Sequence, residues 1–221
     1  MDNVRRDRIL LLDRVNSTRL FVIFMGVLAG LTGMVHGLYE TFQGNTPTGG
    51  YVIASFGVFT IIHNYLLTGI AAMIVGLSLA LWAIGFIHKK NGPIVFLILA
   101  ILLFFVGGGV AIVFFTPFAW GASTRIDKPL AWWRKALPEN VRKLLARSWP
   151  VIFIIGSLCL SIGIGIWLFL TPPGPSYKDP VLQQVCWIFI ALGFLLQMLT
   201  IVSGFARDIE RQESTAISRQ H

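Results

Sequence analysis

Six polar residues around the first loop of the chain carry side chains that could bind or coordinate a ligand. His36 and Glu40 lie one helical turn apart on an apolar segment and therefore share a face. The other four follow them in the chain: Gln43, Asn45, His63 and Asn64. Imidazole and carboxylate groups suit zinc and similar ions, so His36, Glu40 and His63 could form a metal site. Two histidines from adjacent helices could also hold a b-type haem through its axial positions.

Other interpretations of these six residues stay open. They could be hydrogen-bonded interfacial residues that close the loop over a helix bundle, or they could line a pocket for a polar ligand. No spacing among them is diagnostic. The sequence contains no nucleotide-binding loop, serine-nucleophile elbow or CxxC pair, so an enzyme is the less favoured class and no catalytic residue is assigned.

The elements that must position these residues are membrane helices. The chain has 221 residues, of which 55% are hydrophobic and 13% charged. Between Arg19 and Lys89 the only charged side chain is Glu40, and there is none between Lys90 and Arg125. Uncharged apolar runs of about 18 residues or more match a hydrocarbon core about 30 Å thick. The sequence therefore predicts an all-α fold, a polytopic membrane helix bundle that forms a single domain over residues 1–221.

Four segments are predicted to cross the membrane: 20–39, 64–87, 150–170 and 181–205. Pro150 is a favourable first-turn residue and is taken as the start of the third. Residues 1–19 are predicted to form a basic interfacial segment. Residues 123–149 are predicted to form a basic amphipathic segment on the cytoplasmic leaflet, where seven side chains would contact anionic lipid headgroups: Trp132, Trp133, Arg134, Lys135, Arg142, Lys143 and Arg147.

The apolar stretch 94–120 decides the topology. It is interrupted by Gly107, Gly108 and Gly109 and contains Pro117, all four of which could act as a hinge or line a pore. If the stretch crosses once, eight Lys and Arg residues lie on the N-terminal side and ten on the other. If it turns at the glycines and returns, the counts become seventeen and one.

Because Lys and Arg are enriched in cytoplasmic loops, the second count predicts a re-entrant hairpin with both termini cytoplasmic. Each arm would have about 13 residues, or about 20 Å as a helix, which is too short to cross. A single glycine-kinked helix is the alternative.

Small residues on the predicted spans indicate close helix packing. Gly26, Gly30, Gly33 and Gly37 recur at intervals of four, three and four, which places them on one helical face. Gly69 and Gly76 repeat the pattern on the second span, and Ser157, Ser161 and Gly165 on the third. These faces predict tight packing within the bundle, or else an interface with a partner subunit or a second copy.

Several segments together resemble a family of uncharacterised prokaryotic multi-pass membrane proteins. The resemblance is carried by HGLYETFQGN (36–45), NYLLTG (64–69), the glycine triplet and SGFARD (203–208), and it covers most of the chain. It implies a prokaryotic plasma membrane as the setting and implies that His36, Glu40, Gln43 and Asn45 form a unit. It implies no activity, because none is known for the family.

Three functional hypotheses follow. The first is a non-enzymatic binding protein or accessory subunit of a membrane complex, associating with a membrane partner or with itself. The second is a channel or uncoupled carrier with a glycine-hinged re-entrant hairpin. The third is a metal- or haem-binding redox protein that uses His36, Glu40 and His63. A nucleic-acid partner is not expected, because the basic residues flank hydrophobic spans.

The charge count can be tested by labelling single cysteines. With Cys159 and Cys186 replaced, Lys128→Cys and Lys143→Cys should react with a membrane-impermeant thiol reagent only after the cells are opened. Asn45→Cys, placed in the opposite loop, is the control and should react on intact cells. Labelling of position 128 or 143 from outside would rule out the hairpin topology.

Overall fold

The computed structural model describes residues 16–53, 58–109, 111–170 and 179–218. Their helices are α1 (Ser17–Thr41), α2 (Tyr65–Gly85), α3 (Gly92–Phe105), α4 (Ala111–Ser123), α5 (Ala131–Ala136), α6 (Glu139–Gly165) and α7 (Pro180–Ser218). One π-helical turn, Ile166–Leu170, continues α6, and the short strands β1 (Val52–Ile53) and β2 (Val58–Phe59) pair antiparallel. Among the described residues, α1, α2, α7 and α6 with its π turn are long and apolar enough to cross a membrane. The predicted all-α membrane bundle is confirmed. Of the predicted interfacial segment 1–19, residues 1–15 lie outside the described residues.

Helices α1 and α2 run antiparallel with their backbones in direct contact. A methyl group placed on Gly76 would lie 2.6 Å from the carbonyl oxygen of Gly30, and one on Gly37 would lie 2.5 Å from that of Gly69. Gly26 faces the side-chain methyl group of Ala83. The glycine face of α1 is therefore filled within the chain, since no larger residue would allow backbones to approach so closely.

Helices α3 and α4 form a hairpin beside α1. Helix α3 runs in the same direction as α1. Successive contacts show this: Phe96 packs against Gly26, Leu103 against Gly33 and Gly107 against Glu40. The chain then reverses direction. Gly109 contacts His36, and beyond α4 the side chain of Asp127 accepts a hydrogen bond from Asn16 at 3.0 Å. Both ends of the hairpin thus lie at the end of the bundle where α1 begins, called here the Asn16 end, while the turn lies at the opposite, Glu40 end.

Helices α6 and α7 form a second antiparallel pair. Gly156, Gly163 and Gly193 lie at their contact, where Leu160 is fully buried. The predicted face of Ser157, Ser161 and Gly165 is wrong by one position, because Ser161 is exposed and Gly165 faces open space. Ser157 still touches α7, through a 3.0 Å hydrogen bond from the amide of Gln197.

Helix α6 begins well before Pro150, so the predicted start at that residue is wrong. The helix runs from Glu139 and carries Pro150 inside it. Residues 139–149 are rich in Arg, Lys, Leu and Ala, which favour helix, and the proline removes only one backbone hydrogen bond.

Hydrogen bonds and ion pairs close the Asn16 end of the bundle. The carboxylate of Asp208 on α7 accepts from the backbone N–H groups of Ser17 and Thr18 at 2.8 and 3.0 Å, and from the Thr18 hydroxyl at 2.6 Å. It thereby satisfies donors that the first turn of any helix leaves free. Asn16 caps the same helix by accepting from the N–H of Arg19 at 2.8 Å.

The residues predicted to contact lipid headgroups differ in exposure. Five of them are exposed, as such contact requires: Trp132, Arg134, Lys135, Lys143 and Arg147. Arg142 is instead buried and pairs with Glu210 at 2.6 Å and Glu213 at 3.1 Å. Among the exposed residues, Arg134 pairs with Glu213 and Lys143 with Glu139, while the half-buried Trp133 packs on Phe205.

Replacing a glycine at the α1–α2 contact should destabilise the protein. Gly30→Ala would force its methyl group into the Gly76 carbonyl oxygen and the Ala80 side chain, at a cost of about 1–3 kcal/mol. Gly85→Ala is the matched control, because nothing lies within 4 Å of the added methyl group. Thermal unfolding in detergent, followed by tryptophan fluorescence, should show a lower midpoint for Gly30→Ala alone, and equal midpoints would contradict the contact.

Candidate functional site

Two ionisable side chains are buried together at the Glu40 end of the bundle. Glu40 is 0% exposed and His36 is 2% exposed, one turn apart on the face of α1 that the other elements cover. Both carboxylate oxygens of Glu40 and both ring nitrogens of His36 lack a hydrogen-bond partner among the described residues. Buried polar groups in proteins are almost always paired, so four such atoms in one place are unusual.

The turn between α3 and α4 lies directly on these two side chains. A methyl group on Gly107 would lie 2.5 Å from Glu40 Oε1, and one on Gly109 would lie 2.8 Å from His36 Nε2. Both glycines have φ of +92°, in the left-handed region that side chains disfavour. The turn therefore requires glycine at both positions for two reasons. Its backbone conformation disfavours side chains, and the two ionisable groups occupy the space that a side chain would need.

Hydrogen bonds hold the turn to its neighbours. The N–H of Gly107 donates to the carbonyl of Phe59 on β2 at 3.0 Å. The carbonyl of Val106 accepts from the Thr68 hydroxyl of α2 at 2.8 Å, and the hydroxyls of Thr60 and Thr68 are 2.6 Å apart. The Thr68 hydroxyl also lies beside Glu40, but no carboxylate oxygen of Glu40 meets it at hydrogen-bonding geometry.

The π-helical turn after α6 forms the remaining described wall. The ring of Trp167 meets the His36 ring edge to face, with 5.6 Å between centroids. One residue on, the carbonyl of Leu168 accepts from the Tyr39 hydroxyl at 2.9 Å. Single π-helical turns occur often at functional sites, because the extra residue redirects side chains and frees backbone groups.

The other predicted ligand-binding residues form a separate surface network. Asn64 caps α2 by accepting from the N–H of Leu67 at 3.1 Å, and its amide donates to Asn45 at 2.7 Å. Gln43 is exposed and reaches only the carbonyl of Tyr39, at 3.5 Å. These side chains close the loop over the bundle and do not line the buried site.

The predicted metal site is not assembled in the described parts of the chain, and the two histidines considered as haem ligands lie in different surroundings. His63 is exposed and packs against the Tyr51 ring with 4.4 Å between centroids, whereas His36 is buried against Trp167. No group of three His, Cys, Asp or Glu side chains in the described parts of the chain could hold a metal ion. The sequence could not reveal this separation, because the loop between the two histidines places each of them by long-range packing.

Of the two remaining predicted hinge residues, Gly108 lies between the two glycines that contact the ionisable pair, and Pro117 lies further along the chain. Gly108 donates its N–H to the carbonyl of Leu103 at 2.8 Å, which ends α3, and a methyl group on it would lie 2.6 Å from that carbonyl oxygen. Pro117 lies inside α4, on its exposed side.

Sequence reasoning found the ionisable pair and the glycine triplet but did not connect them. It also missed Thr60, Thr68 and Trp167, for which the sequence carries no signal beyond a polar or aromatic residue near a span. Comparison with protein-family models, curated proteins and solved structures finds no match to this chain.

The contact between Gly107 and Glu40 predicts energetic coupling. Gly107→Ala should lower stability by about 1–3 kcal/mol through the clash and backbone strain combined. Part of that cost should vanish in a Glu40→Ala background, where the carboxylate is gone. The check is a double-mutant cycle of unfolding free energies, with a coupling of about 0.5 kcal/mol or more expected.

Gly44→Ala is the matched control for backbone strain. Gly44 has φ of +72° but nothing within 4 Å of an added methyl group. Its cost should be the same with and without Glu40. A cost of Gly107→Ala that is equally independent of Glu40 would refute the packing described here.

Proposed function

We propose that this chain is a non-enzymatic membrane binding protein whose ligand site is the His36–Glu40 pair under the glycine turn. The observation that supports this is the set of four buried, unpartnered polar atoms. Ionisable residues within membrane helices are costly and tend to mark functional positions. A ligand that hydrogen-bonds to these atoms would supply what the described residues do not.

A comparison with Asp208 supports a ligand role for Glu40. Both carboxylates are at most 2% exposed, yet Asp208 accepts three hydrogen bonds from α1 and Glu40 accepts none from the described residues. A buried acid with a structural role is expected to look like Asp208, because an unsatisfied one costs stability. Glu40 has the features of an acid whose partner is supplied from outside the chain.

We also propose that the Glu40 end faces the outside of a prokaryotic plasma membrane and that 94–120 is a re-entrant hairpin. The basic segments that flank the spans converge on the Asn16 end, where Asp127 meets Asn16 and Arg142 meets Glu210. The enrichment of Lys and Arg on the cytoplasmic side supports this orientation. The irregular backbone of the turn, which lies level with Glu40, is packed against protein.

The glycine faces do not support the idea of a partner subunit docked on them. Those of α1 pack against α2 and α3, and Gly69 and Gly76 of α2 pack back against α1. Any subunit partner would have to bind elsewhere, so a ligand site is the better supported form of the binding hypothesis.

Native mass spectrometry of protein extracted gently from its own membrane tests the proposal. The wild-type protein should carry a bound mass, and Glu40→Gln and His36→Gln should each reduce its occupancy by about tenfold or more, because a hydrogen bond to a charged group contributes about 1.5–3 kcal/mol. Glu139→Gln and His63→Gln are matched controls at exposed positions and should retain it. An unliganded wild-type protein, or equal occupancy in all variants, would refute the proposal.

A channel or uncoupled carrier is a second candidate, favoured by the reversal of the chain at the glycine turn. Helices that stop part-way and turn on glycine backbone line the path in many channels and transporters. Flux of ions or small solutes into liposomes would support it if Gly108→Leu abolished the flux, since that side chain would collide with Leu103. Flux no faster than in empty liposomes would exclude it.

A further inference from the structure

The unpartnered atoms of the site define the hydrogen-bonding groups that a ligand must offer. When ionised, the carboxylate of Glu40 contributes two oxygens that only accept, and a neutral His36 ring contributes one acceptor and one donor. A ligand that matches the three acceptors needs three donors directed at one point, and a positive charge to balance the carboxylate. The described ion pairs all lie among residues of the Asn16 end and do not supply that charge.

A primary ammonium group has these properties. It carries one positive charge and three N–H donors, as the head of a lysine side chain does. Two donors can meet Glu40 and the third the acceptor nitrogen of His36, while Trp167 beside His36 adds an aromatic wall that attracts cations. A quaternary ammonium carries the same charge but has no N–H, so it cannot satisfy these acceptors.

The depth of the site matches the lipid headgroup layer. Helix α1 has 25 residues, or about 37 Å at 1.5 Å per residue, against a hydrocarbon core of about 30 Å. Glu40 lies in the last turn of this helix, so it lies near the headgroups of one leaflet. An amine could reach it either from a phospholipid headgroup or from the aqueous phase.

The part of the wall that a ligand would have to displace is the glycine turn. Gly107 and Gly109 contact Glu40 and His36 so closely that the described conformation is closed, and an entering ligand must displace them. The turn presents backbone rather than side chains to the site, so its displacement would expose polar backbone groups to the entering ligand.

We propose that the ligand of the His36–Glu40 site is a primary ammonium group, carried by an ethanolamine phospholipid or by a free amine. This inference rests on the proposed function, because it names the ligand class of the same site. It predicts that ethanolamine headgroups bind and choline headgroups do not.

The test measures thermal unfolding of the full chain in nanodiscs. The discs contain phosphatidylcholine alone, or phosphatidylcholine with phosphatidylethanolamine, and parallel samples in phosphatidylcholine receive ethylammonium or tetramethylammonium chloride. Phosphatidylethanolamine, ethylammonium or both should raise the midpoint by about 3 °C or more, since a ligand that binds only the folded state stabilises it. The rise should disappear in Glu40→Gln and persist in Glu139→Gln.

The arms of the experiment separate the sources of the amine. A rise with the ethanolamine lipid alone identifies the headgroup, and a rise with ethylammonium identifies a free amine as a sufficient ligand. An equal rise with tetramethylammonium would overturn the proposal, as would a rise that survives in Glu40→Gln. The comparison of the two ammonium ions uses wild-type protein only, so it decides the question even if Glu40→Gln does not fold.

A lack of any rise would overturn the ammonium proposal without deciding the proposed function. In that case, a bound mass that is present in the wild-type protein and lost in Glu40→Gln and His36→Gln would still support the ligand site, with a ligand other than an ammonium group. No bound mass in the wild-type protein would refute both.

Discussion

The close approach of helix backbones along one face of α1 determines where most of the other elements lie. The carbonyl oxygen of Gly30 occupies the space that a side chain at position 76 would need, and the carbonyl oxygen of Gly69 occupies the space that a side chain at position 37 would need. Helix α2 therefore has one position available against α1. Further along the same helix, Gly26 and Gly33 receive Phe96 and Leu103, which sets the height of α3. At that height the glycine turn lies level with Glu40 and His36 and covers both side chains.

The buried carboxylates at the two ends of the bundle have opposite surroundings. At the Asn16 end, Asp208 is surrounded by donors from the first turn of α1, and Arg142 is neutralised by Glu210 and Glu213. At the Glu40 end, the carboxylate lies against glycine backbone and accepts no hydrogen bond from the described residues. An apolar environment makes such an unpaired group expensive, so the contrast between the two ends supports our proposal of a ligand site at the Glu40 end.

Much of the fold is predictable because the bilayer imposes simple rules on a sequence. The lengths of uncharged apolar runs predicted four spans, and the break at Gly107–Gly109 predicted two arms of about 13 residues, close to the 14 of α3 and the 13 of α4. These rules predict the start of a helix less well where the helix extends beyond the apolar region. Helix α6 extends eleven residues before Pro150, because good helix formers continue it into polar surroundings. The packing face of α6 was wrong by one residue, since serine and glycine alternate there and small size alone does not choose between adjacent faces.

By itself, the sequence determined which side chains are unusual for a membrane: one acid and one imidazole a turn apart, and three consecutive glycines in an apolar run. Those are local properties, readable from residue types and helical periodicity. Only the tertiary structure decided that the glycines lie on the acid and the imidazole, that His63 lies away from them on the surface, and that Trp167 completes the wall. These relations join residues up to 131 positions apart along the chain. They follow from how the helices pack against α1, and no pattern within a single segment encodes that.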